Sequence, residues 1–454
     1  MNSPVTAINS RQNNILHPAT SVVALEQGGA RCVQAAQGIY VRDKDDHQLI
    51  DGIAGLWCSN IGHGRKEVAQ VLAKAAEQLD YFHTFNGHTN QAQETLAERL
   101  IAMAPEGLSQ VFFGCSGSDA NDTLVKIAWQ YQIMRGKPEK RKIISRWQSY
   151  HGTSISTASL TGLKGFHKAF NLPLDFVVHT DSPFYYQEAF AGESESEFCA
   201  RLLSRLEQLI EQEGADSIAA FIGEPIMGAG GVITPPQGYW KGVQEICRKN
   251  DILIIADEVV CGFGRTGKSF GCEHYELKPD LMTTAKGITA GVFPMSAAFI
   301  ATHVHDQLRE ASREFGGFSH GYTYSGHPIG AAVANCVLDI MERESLTDNA
   351  AKVGSYLHQA LADRLAGHPH VGEIRGKGLL AAIQLMQSAS EKTFLDPGKK
   401  LAAKVSEACY QKGLIIRPLP SVNSLALSPP LTLNPQQVEQ IVDIVEAGIN
   451  EIFE

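Results

Sequence analysis

The chain has 454 residues, of which 44% are hydrophobic and 19% charged. These values are ordinary for a globular protein and exclude wholesale disorder, and the length predicts two or three domains. The net charge of -10 argues against nucleic acid or an anionic membrane as the main partner.

The sequence lacks the marks of export, membrane insertion and metal binding. No run approaches the roughly 18 apolar residues of a membrane span, and residues 1–20 lack the apolar core of a secretion signal. The nine cysteines are scattered, with no CxxC, and there is no HExxH. We therefore expect a cytoplasmic protein with reduced cysteines and no metal site.

Helical periodicity alternates with short apolar runs through the middle of the chain. Apolar residues recur at helical spacing over 68–79 and 202–210. Apolar runs typical of buried strands cover 176–178, 218–222, 252–256 and 297–301. This alternation predicts an α/β protein whose mostly parallel sheet has helices on both faces.

The pattern changes after about residue 329. A long helical stretch over 331–365 precedes shorter strand-like pieces at 379–384, 414–416 and 425–428, and Asn434-Pro435 marks the start of a last helix. These features predict a smaller α+β domain. We divide the chain into residues 1–60, which pack with the small domain, 61–325, the large domain, and 326–454, the small domain.

Candidate functional residues follow several of the strand-like runs. Lys286 comes after an apolar run and before Gly287, Asp257 ends the run 252–256, and Tyr150 follows a strand-like piece. The segment 116–121, Ser-Gly-Ser-Asp-Ala-Asn, begins a helix and could hold a phosphate on its free N–H groups. Taken singly, these residues also fit a surface lysine, a helix cap or metal ligand, a core aromatic and a plain N-cap.

Taken together, the four groups meet the needs of pyridoxal 5'-phosphate (PLP). That cofactor requires an amine for its aldehyde, a carboxylate at its pyridine nitrogen, a platform for its ring and a cradle for its phosphate. A buried carboxylate such as Asp257 needs a cationic partner, and a protonated pyridine nitrogen would serve.

The order of the motifs resembles the class III aminotransferases, which are PLP enzymes of fold type I. The matching pieces are Ser116-Gly-Ser-Asp-Ala-Asn121, Tyr150-His-Gly152, Gly223-Glu-Pro225 with Gly228-Ala-Gly-Gly231, Asp257-Glu-Val259 with Gly262-Phe-Gly-Arg-Thr-Gly267, Ala285-Lys-Gly287, and Tyr322-Thr-Tyr-Ser-Gly-His-Pro328. The interval between Asp257 and Lys286 also fits. The resemblance implies a large domain with a seven-stranded sheet flanked by helices, and a smaller α+β domain.

The resemblance also implies roles for the catalytic pair and the ring platform. Lys286 would hold the cofactor aldehyde and move the substrate proton, and Asp257 would keep the pyridine nitrogen protonated. Tyr150 and Val259 would pack on the two faces of the ring, with His151 in the same site.

Further cofactor residues follow from the same resemblance. Gly117 and Ser118 would hold the phosphate, and Glu224 would steady the site near Asp257. Thr323 would complete the phosphate site of a neighbouring subunit, which implies a homodimer with shared active sites and leaves a tetramer open.

Within the family, the chain is similar to the ω-amine:pyruvate subgroup. Trp57, Phe85 and Tyr150 would form an apolar pocket for an amine, with Ala229 beside it. Arg417, in Gly413-Leu-Ile-Ile-Arg-Pro418, would pair with the carboxylate of the acceptor. The implied reaction is ping-pong transfer from a diamine, polyamine, monoamine or ω-amino acid to pyruvate, giving alanine and an aldehyde or ketone.

Two positions depart from the family pattern. The family usually has glutamate where this chain has Asp119, and Gly114-Cys115 replaces the commoner Thr-Asn or Thr-Gly. Neither change removes a catalytic group, so we expect them to affect only the packing of the phosphate loop.

A nucleotide-binding pattern competes with this interpretation. Residues 262–269, Gly-Phe-Gly-Arg-Thr-Gly-Lys-Ser, match the phosphate-binding P-loop. A P-loop must open a long helix, and the following residues lack helical periodicity. We therefore expect a structural loop. A class III aminomutase or decarboxylase, a nucleotide-binding protein and a non-catalytic binding protein remain as alternatives.

Overall fold

The computed structural model describes residues 14–454, so the first part of the predicted segment 1–60, and most of the polar stretch 1–20, lies outside the described residues. The strands are β1 (Val33–Gln37), β2 (Tyr40–Asp43), β3 (Gln48–Asp51), β4 (Leu108–Gly114), β5 (Lys142–Arg146), β6 (Val177–Thr180), β7 (Ile218–Gly223), β8 (Leu253–Asp257), β9 (Leu281–Thr284), β10 (Ser296–Ala301), β11 (Val371–Lys377), β12 (Leu380–Ser388), β13 (Thr393–Phe394), β14 (Leu414–Ile415), β15 (Arg417–Leu419) and β16 (Ser424–Leu427). The α-helices are α1 (Val22–Gly28), α2 (Ala54–Trp57), α3 (Lys66–Gln78), α4 (Gln91–Met103), α5 (Gly117–Met134), α6 (Ile155–Leu160), α7 (Tyr185–Glu188), α8 (Glu195–Glu213), α9 (Tyr239–Lys249), α10 (Thr302–Phe315), α11 (Pro328–Arg343), α12 (Leu346–Leu365), α13 (Leu401–Gln411) and α14 (Pro435–Phe453).

A seven-stranded sheet forms the centre of the fold, in the order β4-β10-β9-β8-β7-β5-β6. Strands β6, β5, β7, β8 and β9 pair in parallel, whereas β10 is antiparallel to both β9 and β4. Strands β7 to β10 are buried along their whole lengths, which explains their uninterrupted apolar sequences. The predicted mostly parallel sheet is confirmed, and the run 297–301 is its antiparallel member.

Amphipathic helices cover this sheet. In α8 the residues Phe198, Leu202, Leu206 and Ile210 are buried at a spacing of four, which is one face of a helix. Ser194 caps the helix in a capping box with Glu197. The periodicity over 202–210 therefore predicted this helix correctly, and the periodicity over 68–79 did the same for α3.

The predicted helical stretch 331–365 is interrupted in the structure. Helix α11 ends at Arg343, and α12 begins at Leu346 after Ser345, whose φ of 48° is left-handed. Arg65 donates to both carboxylate oxygens of Glu344 at 2.8 and 2.6 Å, which holds this corner against the start of α3. The last helix begins as predicted, with the Asn434 side chain accepting from the N–H of Gln437.

Two smaller sheets involve the C-terminal part of the chain. Strands β11-β12-β16-β15 form an antiparallel sheet, with β13 paired to β12. Strand β14 pairs in parallel with β3, in the sheet β1-β2-β3-β14. This pairing connects the strand before Trp57 with the strand before Arg417. The division into segments 1–60, 61–325 and 326–454 stays a prediction.

The P-loop-like segment 262–269 leads into a short 3-10 helix, Gly271–Tyr275, and no α-helix follows before β9. Arg265 within it is fully buried and donates to the carbonyl of Leu379 at 3.0 Å and to Asn60 Oδ1 at 2.7 Å. The segment therefore ties distant parts of the chain together, as expected for a structural loop. Within residues 14–454, no helix is long and apolar enough to cross a membrane, and no group of three or more His, Cys, Asp or Glu could hold a metal ion.

Candidate active site

The candidate site lies where five parallel-oriented strands of the large sheet end. Gly117 follows β4, Tyr150 follows β5, Glu224 follows β7, Asp257 ends β8, and Lys286 follows β9. The carboxyl ends of parallel strands meet at one edge of a sheet, which is the usual ligand site of such folds. The sheet therefore gathers these residues from across the sequence.

Asp257 is a buried carboxylate, with 3% of its surface exposed. Its Oδ2 accepts from Asn121 Nδ2 and from His151 Nδ1, each at 2.8 Å, and its Oδ1 accepts from the N–H of Val259 at 3.1 Å. Burial would raise the pKa of Asp257, but the bonds and charge of His151 and the bond from Asn121 outweigh it, so the pKa is lowered. The group is thus an ionised carboxylate held in one orientation.

Asn121 has a part in this site that the sequence analysis did not assign. It is fully buried, its Nδ2 also donates to the carbonyl of His151 at 2.9 Å, and its Oδ1 accepts from Thr283 Oγ1 at 2.6 Å. It therefore holds Asp257 and His151 together. The available signal was a polar residue on the helix face that carries Leu124 and Ala128.

Lys286 adopts a left-handed conformation, with a φ of 46°, directly after β9. A Cβ on the following Gly287 would lie 2.7 Å from Asn60 Nδ2 and 3.0 Å from Phe263 Cβ, so glycine permits this close packing. The Lys286 side chain makes no hydrogen bond or ion pair with any residue of the described chain. Burial lowers the pKa of Lys286, and the charge of Asp257 opposes this shift only in part. A lysine of lowered pKa is a good nucleophile for an aldehyde.

The start of α5 presents free N–H groups. The Asp119 carboxylate accepts from the N–H groups of Cys115 at 2.9 Å and Ser116 at 3.0 Å, and Ser116 Oγ accepts from the N–H of Asp119. The N–H groups of Gly117 and Ser118 then have no hydrogen-bond acceptor within residues 14–454. Two free N–H groups at the positive end of an 18-residue helix suit a phosphate.

Both departures from the family pattern lie in this cap. Asp119 completes a capping box with Ser116. A Cβ at Gly114 would come within 2.6 Å of Asp119 Oδ1 and 2.7 Å of Ser296 Oγ. The glycine therefore makes room for the shorter acid and for its bond from Ser296 at 3.1 Å.

Val259 and Tyr150 flank the same region. A Cβ on Gly117 would lie 2.9 Å from Val259 Cγ2, so the valine packs directly against the helix start. Glu224 accepts from the N–H of Tyr150 at 3.0 Å and from the N–H of Gly228 at 2.8 Å, and burial raises its pKa. Glu224 thus fixes Tyr150 and the loop at Gly228, and it makes no direct bond to Asp257.

Trp57 and Arg417 meet beside this loop. The Arg417 guanidinium carbon lies 5.9 Å from the centre of the Trp57 ring. A Cβ on Gly228 would come within 2.1 Å of Trp57 Cζ3, so the loop that carries Ala229 lies flat against the indole. Arg417 makes no ion pair within residues 14–454, and its Nε and the Trp57 Nε1 are buried donors without an acceptor. Burial lowers the pKa of Arg417.

Phe85 and Thr323 lie elsewhere in the single chain. Phe85 packs on Gly321, where a Cβ would be 2.8 Å from the phenyl Cε1, and within the described residues it makes no ring contact with Trp57 or Tyr150. Thr323 is exposed, and its carbonyl accepts from Tyr81 OH at 2.7 Å. One chain therefore brings Trp57 and Arg417 together and leaves Phe85 apart from them.

The arrangement fits PLP in each of its parts: an amine without a partner, an ionised carboxylate, a platform and free N–H groups for a phosphate. Comparison with known proteins gives the same picture. The family model for class III aminotransferases matches residues 24–449. The chain is 43% identical to a diaminobutyrate–2-oxoglutarate transaminase of Halomonas elongata, over 96% of this chain and 94% of the relative.

One further relative and one solved structure are similar over almost the whole chain. A putrescine–pyruvate aminotransferase of Pseudomonas aeruginosa is 38% identical, over 99% of this chain and 98% of the relative. The crystal structure of an omega transaminase from Pseudomonas jessenii in complex with PMP superposes with a TM-score of 0.94 at 41% identity, covering 96% of each chain.

Proposed function

Because the chain belongs to the class III aminotransferases and uses PLP, we propose that it transfers an amino group from an ω-amine to pyruvate. The products are alanine and an aldehyde or ketone. The observation that carries this proposal is Arg417, a guanidinium without a carboxylate partner beside the buried face of Trp57.

The roles of the catalytic residues follow from their surroundings. Bound PLP supplies a ring that accepts electrons from the carbon that bears the amine. Lys286 Nζ would hold the aldehyde of the cofactor and would move the proton from the amine-bearing carbon of the substrate. Asp257, ionised and fixed by Asn121 and His151, keeps the pyridine nitrogen protonated. His151 would influence the ring through Asp257, which its Nδ1 contacts at 2.8 Å.

The cofactor is oriented by the surrounding backbone and side chains. Gly117 and Ser118 would donate their N–H groups to the phosphate, while Tyr150 and Val259 would pack on the ring. Glu224 holds the Tyr150 backbone in place. These contacts orient the reacting carbon relative to Lys286.

The substrate pocket must accept two different groups in turn. The apolar part of the donor packs on Trp57 and Tyr150, with Ala229 at the edge. After the first product leaves, the carboxylate of pyruvate pairs with Arg417, whose planar fork matches a carboxylate. A single pocket used in turn by donor and acceptor gives ping-pong kinetics.

The acceptor is tested by competition. With putrescine as donor, we expect kcat/KM for pyruvate to exceed that for 2-oxoglutarate at least about tenfold. Either acid can pair one carboxylate with Arg417, but the second carboxylate of 2-oxoglutarate would lie in the apolar pocket without a cation. Alanine and glutamate formation are measured in parallel. A preference for 2-oxoglutarate, the acceptor named for the Halomonas relative, would contradict the proposal.

We further propose a homodimer in the cytoplasm. Phe85 and Thr323 lie on one exposed surface with the apolar side chains of Tyr81, Phe82 and Tyr324. We propose that in this dimer Thr323 reaches the phosphate, and Phe85 the amine pocket, of the partner. Sedimentation of the holoprotein at micromolar concentration should give twice the chain mass; a monomer that retains full activity would contradict the shared site.

A further inference from the structure

His320 lies between the start of α5 and the segment that carries Thr323. Its Nε2 is 2.8 Å from Thr123 Oγ1, and its Nδ1 is 3.0 Å from Lys126 Nζ. Thr123 Oγ1 in turn donates to the carbonyl of Asp119 at 2.8 Å. Two bonds thus lead from the imidazole to Asp119 in the first turn of the helix, and a third joins it to Lys126 further along the same helix.

The hydrogen-bonding partners of His320 determine which of its ring nitrogens carries the proton. Thr123 has one hydroxyl proton and gives it to Asp119, so it must accept from His320 Nε2–H. Lys126 can only donate, so Nδ1 carries no proton. Burial and the Lys126 charge lower the pKa of His320, in keeping with a neutral ring. His320 therefore uses both nitrogens to bind α5.

Asp119 connects these hydrogen bonds to the phosphate cradle, by which we mean the free N–H groups of Gly117 and Ser118. Its carbonyl also accepts from Tyr322 OH at 3.0 Å. Its side chain caps Cys115 and Ser116, immediately before the free N–H groups of Gly117 and Ser118. One residue therefore holds both the helix start and the segment around Thr323.

The opposite side of this segment is also fixed. Tyr81 OH donates to the carbonyl of Thr323 at 2.7 Å, and Thr84 Oγ1 donates to the carbonyl of Ser325 at 2.9 Å. The His320 ring stacks on Phe112, with centres 5.5 Å apart and planes inclined by 26°. The orientation of Thr323 therefore depends on Tyr81 and Thr84 on one flank, and on the bonds that His320 and Tyr322 make to α5 on the other.

We infer that His320 is a positioning residue that ties the phosphate cradle of its own subunit to the Thr323 segment serving the partner's phosphate site. This inference rests on the proposed dimer. Loss of the His320 bonds loosens cofactor binding at both sites. The chemical step is unaffected, because His320 touches neither substrate nor cofactor.

The first test measures release of the amine form of the cofactor from holoprotein diluted into cofactor-free buffer. His320→Phe keeps a flat ring against Phe112 and removes both hydrogen bonds, so release should be about tenfold faster. The kcat at saturating cofactor should stay within about twofold. Thr123→Val removes only the hydroxyl that links His320 to Asp119, and it should also speed the release of the cofactor.

The control is His303→Phe, the same substitution at a histidine that also contacts a ring, Tyr131, and a carboxylate, Asp280. It should leave release unchanged. Release from His320→Phe and Thr123→Val at the rate of this control would overturn the inference.

Heterodimers separate the two sites. One subunit carries Lys286→Ala with His320→Phe, so that turnover comes only from the partner's intact Lys286. We expect the PLP concentration for half-maximal activity to rise at least about fivefold over a heterodimer with Lys286→Ala alone. An unchanged PLP concentration for half-maximal activity would overturn the proposed link between His320 and the partner's phosphate site.

A third heterodimer tests the proposed dimer by itself. Thr323→Ala replaces His320→Phe on the Lys286→Ala subunit. If it leaves the partner's PLP requirement unchanged, Thr323 does not reach the partner and the dimer proposal fails. If it raises the requirement while His320→Phe does not, only the role of His320 fails.

Discussion

Replacing Arg417 by alanine should separate acceptors that carry a carboxylate from those that do not. The guanidinium makes no ion pair in the described chain and lies 5.9 Å from the Trp57 ring centre, free to bind a carboxylate. A charge-assisted pair of this kind is worth about 1.5–3 kcal/mol, so kcat/KM for pyruvate should fall roughly 10- to 150-fold. With butanal as acceptor, the same variant should change less than about threefold.

The assay compares both acceptors with one donor, putrescine, at saturation. Arg417→Met serves as the matched control because it keeps most of the apolar stem over Trp57 and removes only the charge. It should lose pyruvate activity as fully as the alanine variant. Equal losses for pyruvate and butanal in both variants would refute the role of Arg417 in binding the carboxylate.

Three other substitutions test the site and its surroundings. Asp257→Asn should lower kcat about 10²- to 10³-fold, because the fixed negative charge is lost; steady-state rates at saturating PLP check this, and a loss below about threefold would speak against the role. Gly228→Ala should raise KM for apolar amines about tenfold, because its Cβ would lie 2.1 Å from Trp57 Cζ3; Gly165→Ala, with no atom within 4 Å of the added carbon, should not. Burial raises the pKa of Glu258 from 4.5 to about 7, so the folded state retains a proton that the unfolded chain releases. This contribution, about 3 kcal/mol, is fully present below pH 4.5 and is lost as the pH rises through 7. Thermal unfolding of Glu258→Gln should then depend less on pH between 5 and 8 than that of the native chain, and an unchanged dependence would refute the assignment.

The positions of Lys286 and Asp257 at one edge of the sheet could be anticipated from the sequence, because each comes after a strand-like run and parallel strands end at one edge. Their catalytic roles were implied by the family resemblance and stay predictions. The antiparallel direction of β10 could not be read in the same way, since a strand buried on both faces has one composition in either direction.

Contacts between segments that are distant in the sequence set the site features that local patterns did not predict. Trp57 and Arg417 meet because β14 pairs with β3, and no local pattern specifies that register. Asn121 reaches Asp257 only because α5 packs beside β8. Phe85 packs on Gly321 instead of Trp57. This separation in one chain results from tertiary contacts that no local sequence pattern specifies.

We propose that Lys286 and the residues around it carry out both half-reactions of the amino-group transfer. The direct measurement is the visible absorption spectrum of the PLP-loaded protein, recorded alone, after putrescine and after subsequent pyruvate. We predict that the cofactor band disappears with the amine and returns with pyruvate, and that Lys286→Ala shows no such cycle. A band that does not respond to amines, or a cycle that is equally fast in Lys286→Ala, would contradict the account.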